Sequence, residues 1–288
     1  MKILVTGLSG FVGGELLSLL SHHDVIAFGR TNVFEDFNGD YYPIDLNDHE
    51  SVRKAVIKLK PEACVHLAWQ DIPNFETHTC LTNFSNSVNL ASSLTEVGCS
   101  KVIVTGTCLE YQGLMGPCNE ALIGSDLSLF GRFKHGLNLI WEELQSNGDY
   151  HWIRPFYIYG KNQRLGSLLP YIMREYKAGK IPTLGNPHAC NDYVHVSDVA
   201  RLISHLLDNK VKSGPINAGS GLLFRNSEIS DFVGLLATNN DAISQFTFPK
   251  QTNQDGFYAD ISLSRDIGFE NKVRFKNGIR DMYESMVL

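Results

Sequence analysis

The chain has 288 residues, with 25 Lys and Arg against 31 Asp and Glu, a formal charge of −6, and 43% hydrophobic residues. That length supports one large domain or a main domain with a smaller companion, and it excludes a mini-protein held together by disulfides. The acidic balance gives no general reason to expect nucleic acid or an anionic membrane as partner, no run approaches the ~18 apolar residues of a membrane span, and glycine arrives too early for a signal peptide; a soluble cytoplasmic protein is expected.

Ile3-Leu4-Val5 is a short apolar run that ends in a glycine turn, and Phe11, Val12, Leu16, Leu17 and Leu20 then recur at helical spacing. Strand, turn and helix follow one another in this way several times. Strands are expected over 25–28, 63–67, 101–105 and 152–154, with helices over 10–20, 51–59, 81–97 and 131–145. Repeated βα units with buried, β-branched strands predict an α/β fold whose parallel sheet is covered on both faces. After Tyr159-Gly160 the alternation lapses into loops rich in proline and glycine, so a first domain over 1–160 and a second over 161–288 are expected. A helix reading over 194–207 and a short strand over 214–219 suggest that about 190–220 returns to the first domain.

Gly7-x-x-Gly10-x-x-Gly13 follows the first strand and opens the first helix. In that context glycines let the backbone turn sharply and approach a pyrophosphate, where unpaired N–H groups and the helix dipole favour negative charge. An ordinary βα turn is the bland alternative. The second strand ends Phe28-Gly29-Arg30, where such folds place either an acid against the adenosine ribose or an arginine against a 2′-phosphate. Arg30 favours NADP, with NAD the other possibility, unless it is simply a solvated surface arginine. The six cysteines (Cys64, Cys80, Cys99, Cys108, Cys118, Cys190) contain no C-x-x-C pair. They predict reduced thiols and no metal centre.

These residues resemble the extended short-chain dehydrogenase/reductase family, the branch of nucleotide-sugar epimerases, dehydratases and reductases. Thr6 to Gly13, including Phe11 and Val12, looks like its cofactor turn, Asp45-Leu46 like its adenine contact, and His66-Leu67-Ala68-Trp69 like the segment beside the pyrophosphate and nicotinamide ribose. Asn83 falls at the family's helix asparagine, Arg154-Pro155-Phe156 and the residues to Gly160 at the strand and loop near the nicotinamide, and Asp192 to Ala200 at the segment re-entering the main domain. The stretch Thr105-Gly106-Thr107-Cys108-Leu109-Glu110-Tyr111, with Gly166-Ser167-Leu168-Leu169-Pro170, is similar to reductases of nucleotide-linked 4-keto-6-deoxyhexoses. The resemblance implies a Rossmann-type doubly wound sheet with a smaller discontinuous substrate-binding domain. It implies cofactor contacts at Gly7, Gly10 to Gly13, Arg30, Asp45, Leu46, Leu67, Ala68, Trp69, Asn83, Thr105, Lys134, Pro155 and Phe156. Substrate contacts are implied at Thr107, Cys108, Glu110, Tyr111, Ser167, Leu168, Asn191 and Tyr193, with Thr107 bonding the reacting sugar oxygen.

The family's Tyr-x-x-x-Lys pair reads Phe130-Gly131-Arg132-Phe133-Lys134 here. In relatives the lysine binds cofactor ribose and lowers the tyrosine pKa, so that the phenol can trade a proton while hydride moves. Phe130 has no proton to give. Three readings stay open: an engineered Tyr-to-Phe replacement, a natural variant using another acid from Glu110, Tyr111 or Cys108, or a protein that binds without catalysing. Where many relatives carry an arginine for the substrate diphosphate the chain has Asn191, and Arg164 or Arg225 would have to compensate. The expected activity is NADP-dependent reduction of a keto group on a nucleotide-linked sugar. A 4-epimerase and a silent cofactor-binding protein are the alternatives. The resemblance implies a homodimer through the helices bearing Asn83 and Lys134, although Leu137, Ile140, Trp141 and Leu144 serve the chain's own core equally well.

Overall fold

Aliphatic strands and amphipathic helices alternate through the first half of the computed structural model, which describes residues 1–30, 37, 39–238 and 241–286. In chain order the elements are β1 (Lys2–Thr6), α1 (Phe11–Leu17), β2 (Asp24–Gly29), β3 (Asp40–Pro43), α2 (His49–Leu59), β4 (Ala63–His66), α3 (Thr77–Glu96), β5 (Lys101–Thr105), β6 (Gly116–Cys118), α4 (Leu129–Leu144), β7 (Asp149–Pro155) and β8 (Tyr157–Tyr159). They continue as α5 (Leu168–Lys177), β9 (Cys190–His195), α6 (Val196–Asp208), β10 (Gly214–Ala218), β11 (Leu223–Arg225), α7 (Asn226–Ala237), β12 (Phe257–Ala259), α8 (Ser262–Asp266) and α9 (Phe275–Ser285).

The chain divides into two compact units: Met1–Gly113, Ile123–Pro155 and Ala200–Ile216 form the first, and Leu114–Leu122, Phe156–Val199 and Asn217–Leu288 the second. The division falls between Pro155 and Phe156, a few residues before the expected 160, and the returning segment is narrower than 190–220. Leu114–Leu122 belongs to the second unit, which no local pattern announces, because its strand pairing is long-range: β6 lies parallel to β12, Gly116 opposite Phe257.

In the first unit, seven strands among the described residues form one sheet in the order β10-β7-β5-β4-β1-β2-β3. The pairs from β3 across to β7 are parallel. The chain builds outward from β1 to β3 and then returns to start the other half at β4, so the strand order reverses between β1 and β4. This doubly wound arrangement is the expected Rossmann-type α/β sheet, and such a reversal opens a crevice at the carboxyl ends of the two strands. β3 was not foreseen; it is a short edge strand whose last residue is a proline, tolerated there because an edge needs no further N–H donor.

Ile3, Leu4, Val5, Val102, Ile103 and Trp152 are buried in the sheet, and Leu90, Leu94, Leu137 and Trp141 cover it from α3 and α4. Trp141 has no exposed surface and donates its indole N–H to Ser87 Oγ at 2.9 Å. Leu137 and Trp141 are therefore core, each such side chain stabilising the fold by about 1.5–3 kcal/mol, with Ile140 and Leu144 half-buried beside them. α4 starts at Leu129, earlier than its apolar periodicity suggests, because Ser128 caps it by accepting from Gly131 N at 3.3 Å. That start carries Phe130 and Lys134 onto one helix face.

The second unit has a three-stranded sheet, β11-β9-β8, and the β6–β12 pair. Its core is aromatic: Tyr159, Tyr193, Phe224, Phe232 and Phe275 cluster, with the Phe224 and Phe275 rings stacked at 3.9 Å. The six cysteines are free and buried, and among the described residues no helix is long and apolar enough to cross a membrane.

Candidate active site

The turn after β1 is built by glycine because nothing larger fits. Gly7 takes a φ of +77°, and a Cβ there would lie 2.7 Å from the backbone nitrogen of Ala68, in the loop after β4. A Cβ on Gly13 would fall 2.4 Å from the carbonyl oxygens of both Gly7 and Leu8. Gly10 caps α1 in an extended conformation without a side-chain acceptor. The first-turn N–H groups are thus uncapped by any side chain, in a cradle that a single Cβ would fill. That cradle, with Phe11 and Val12 half-buried beside it, fits a dinucleotide's linked phosphates.

The neighbouring strand ends are stitched together by polar groups. Thr6 Oγ1 and His66 Nδ1 share a hydrogen bond of 2.7 Å, Ala68 N donates to Thr6 Oγ1 at 3.4 Å, and Thr105 Oγ1 donates to the His66 carbonyl at 3.3 Å. His66 is buried, and that burial, with Lys134 nearby, pulls its pKa down to about 3, so the imidazole is neutral. Sequence reasoning missed this role, because the pairing of Thr6 with His66 at the ends of parallel strands is set by tertiary register. Asn83 on α3 accepts from Gln70 N at 2.8 Å and donates to the carbonyls of Gln70 (3.3 Å) and Thr79 (2.9 Å). Both ends of the amide meet backbone groups, and the side chain thereby fixes the loop that carries Leu67, Ala68 and Trp69.

Asp45 accepts from the backbone and side chain of Asn47 (3.0 and 2.8 Å) and stands half-buried with Leu46 after β3. Arg30 is exposed immediately beyond β2, whose end lies beside that of β1, Thr6 opposite Phe28.

Lys134 is a buried cation of α4. It is 5% exposed, donates from Nζ to the Thr105 carbonyl at 2.7 Å, and stands 4.2 Å from the centroid of the Trp69 ring. Burial pulls its pKa down to about 7, against the opposing pull of Glu110 and Cys80. One turn earlier Phe130 packs as pure hydrocarbon, edge-on to Trp69 at 5.2 Å and against Phe75 at 4.5 Å. The Trp69 indole N–H is buried without a hydrogen-bond partner among the described residues. Helix α4 sits tightly on the turn that follows Thr107, since a Cβ on Gly131 would lie 2.8 Å from the Leu109 carbonyl.

Thr107 is extended and nearly buried; its Oγ1 accepts from Leu109 N at 3.2 Å, which leaves the hydroxyl hydrogen to donate elsewhere. Glu110 and Tyr111, expected at the substrate, are turned inward. Neither side chain has exposed surface. Glu110 accepts from Trp152 Nε1 (2.7 Å), Thr107 N (3.2 Å) and Arg154 Nε (3.1 Å), and Arg154 Nη1 donates to the Tyr111 hydroxyl at 2.9 Å. A carboxylate buried beside a guanidinium must be paired, and here the pair builds the loop that presents Thr107. Cys108 is 5% exposed in the same turn, and Pro155 ends β7 half-buried.

The remaining expected residues lie in the second unit. Ser167 and Leu168 open α5, half-buried, and Asn191 Nδ2 approaches Asn226 Oδ1 at 3.5 Å. Tyr193, expected at the substrate, donates its hydroxyl to Asn226 Oδ1 at 3.3 Å and stacks its ring on Phe275 in the core. The Phe156 ring likewise is buried, packing toward Phe257. Arg225, one of the two arginines considered for the diphosphate, is bound to Gln251 (2.7 Å) and Asp255 (3.1 Å) with Glu228 at 3.5 Å. Asp192 is a structural knot that accepts from Ser220, Gly221 and Ala259.

Comparison with known proteins adds the following. The family model for the NAD dependent epimerase/dehydratase family matches residues 3–219. A GDP-6-deoxy-D-talose 4-dehydrogenase of Aggregatibacter actinomycetemcomitans is 29% identical over 77% of this chain and 75% of its own. A dTDP-4-dehydro-6-deoxyglucose reductase of Escherichia coli is 22% identical over 99% of this chain and 97% of its own. Among solved structures, a UDP-glucose 4-epimerase of Thermotoga maritima with UDP-glucose superposes with a TM-score of 0.83 at 20% identity, covering 99% of this chain and 98% of that one. A Thermus thermophilus UDP-glucose 4-epimerase in complex with NAD gives 0.80 at 21% identity, covering all of both chains.

Proposed function

The chain belongs to the NAD dependent epimerase/dehydratase family, and from that premise we propose that it is a nucleotide-sugar modifying enzyme, reducing a keto group on a nucleotide-linked 4-keto-6-deoxyhexose with NADPH. The observation that carries this reading is the setting of Lys134: a buried ammonium held on the Thr105 carbonyl, one helical turn from position 130 and against the loop that presents Thr107. The glycine cradle would hold the phosphates of a nicotinamide dinucleotide, Lys134 its ribose and Arg30 its 2′-phosphate; once bound, the group would supply the hydride for the keto carbon, whose oxygen would take up a proton. Thr107 donates a hydrogen bond to the sugar oxygen. The two relatives named for chemistry at C4 of a 6-deoxyhexose support the substrate class.

Phe130 sets the rate. With a hydrocarbon where the family acid stands, proton delivery is slow, and the general-acid contribution of about 100-fold to 10,000-fold is missing. NADPH oxidation in the presence of a nucleotide-linked 4-keto-6-deoxyhexose tests the reading, with wild type and Phe130→Tyr compared. The tyrosine variant is expected to turn over within that range faster. Silence from both, with cofactor still bound, would favour the second reading, a cofactor-binding protein without turnover, for which the dry packing of Phe130 between Trp69 and Phe75 speaks. A 4-epimerase, suggested by the structural neighbours, would instead retain its nicotinamide cofactor through purification. Pairing of two copies is proposed through α3 and α4, where Leu81 and Leu139 are 52% and 54% exposed.

A further inference from the structure

Two histidines adjacent in sequence converge on an aspartate 185 residues away. His22 and His23 lie in the turn between α1 and β2, and Asp208 is the last residue of α6. Their Nε2 atoms stand 3.1 and 3.0 Å from the same carboxylate oxygen, Asp208 Oδ1. The two rings face each other at 4.0 Å, tilted by 40°, and a ligand atom from each of the three residues can be chosen so that all lie within 4.8 Å of one another. Asp208 Oδ2 also accepts from Ser204 Oγ at 3.4 Å. His23 is held with 6% of its side chain exposed, whereas His22 (56%) and Asp208 (36%) are open to solvent.

This convergence has a physical tension that an ion resolves. A carboxylate at a helix C-terminus faces the negative end of the helix dipole and is unfavourable without a cation. Protonating both imidazoles would supply charge, yet would set two cations face to face. A divalent ion takes neutral imidazoles and a carboxylate together, at about 2.0–2.2 Å from each donor atom. Around a tetrahedral ion at those lengths, donor atoms sit roughly 3.3 Å apart, close to the 3.0 and 3.1 Å separations here. Imidazole nitrogen with one carboxylate suits zinc and its neighbours rather than calcium or magnesium.

We propose that His22, His23 and Asp208 form a zinc site that ties the corner between α1 and β2 to the end of α6. Cysteine spacing gives no hint of it, since no cysteine takes part. β2 begins at Asp24, beside the start of β1, so the site lies at the amino-terminal edge of the sheet, opposite the glycine cradle. The site is independent of the proposed reduction, and water completes the ion's coordination.

The test is a calorimetric zinc titration of the full chain, free of any histidine tag and stripped with EDTA, alongside His22→Ala and Asp208→Asn. One zinc per chain is expected for wild type, with each variant weakened at least about tenfold, as loss of even an outer-shell partner costs that much. Zinc should raise the melting temperature of wild type and leave that of the variants unmoved. Equal affinity in all three proteins, or no zinc uptake by wild type, would overturn the site and leave a hydrogen-bonded cluster only.

Discussion

Lys134 stands 4.2 Å from the centroid of the Trp69 ring while its Nζ donates to the carbonyl of Thr105 at 2.7 Å. The two contacts join helix α4 to the loop after β4 and to the end of β5, so one side chain braces three elements around the carboxyl ends of the central strands. A buried ammonium held in this way is costly to the folded chain, and the cost is measurable.

With its pKa pulled down to about 7 by burial, Lys134 is neutral in the folded chain at pH values where it is still protonated in the unfolded chain, whose lysines titrate near 10.4. Between those values the unfolded state binds more protons, so this residue makes stability rise with pH. Below pH 7 both states are protonated and the penalty is constant. Denaturant unfolding of wild type and Lys134→Met should therefore differ by an amount that shifts in favour of wild type from about pH 7 toward pH 10. A difference flat across that window would show that the lysine stays charged when folded.

Gly13 and Gly14 are neighbours with opposite surroundings. A methyl group at Gly13 meets two carbonyl oxygens at 2.4 Å, whereas at Gly14 nothing lies within 4 Å. Gly13→Ala is expected to destabilise the fold by about 1–3 kcal/mol, the usual cost of overpacking, and to weaken cofactor binding. Gly14→Ala should be neutral or stabilising by up to about 1 kcal/mol, as alanine is the better helix former. Thermal melts with and without NADPH read both effects.

Glu110 and Arg154 are 0% and 1% exposed and paired at 3.1 Å. Removing one partner strands a buried charge, so Glu110→Gln should cost about 3–5 kcal/mol in denaturant unfolding. A change under about 1 kcal/mol would contradict the pair as a buried interaction on which the fold depends.

What could be read from the sequence was what depends on local backbone chemistry. The Gly7, Gly10 and Gly13 spacing, the alternation of strands and helices and the pairing of Phe130 with Lys134 four residues later all follow from turn and helix geometry. Burial was not legible. Glu110, Tyr111 and Tyr193 are polar residues in a stretch resembling a substrate site, and only tertiary packing turns them inward, onto Arg154 and Asn226. Asn83 marked the right loop, but its partners are backbone groups of Gln70 that no side-chain pattern reveals. Leu114–Leu122 crossed to the second unit for the same reason, since the strand opposite β6 lies far along the chain.

We propose that the turn after β1 holds a nicotinamide dinucleotide. Direct titration of NADPH and NADH onto the purified chain, followed by the change in nicotinamide fluorescence, tests it without relying on turnover. Saturable binding at one site per chain is predicted, and the proposed role of Arg30 predicts that NADPH binds the tighter of the two. Absence of saturable binding for both nucleotides would contradict the assignment of the cradle and of everything built upon it.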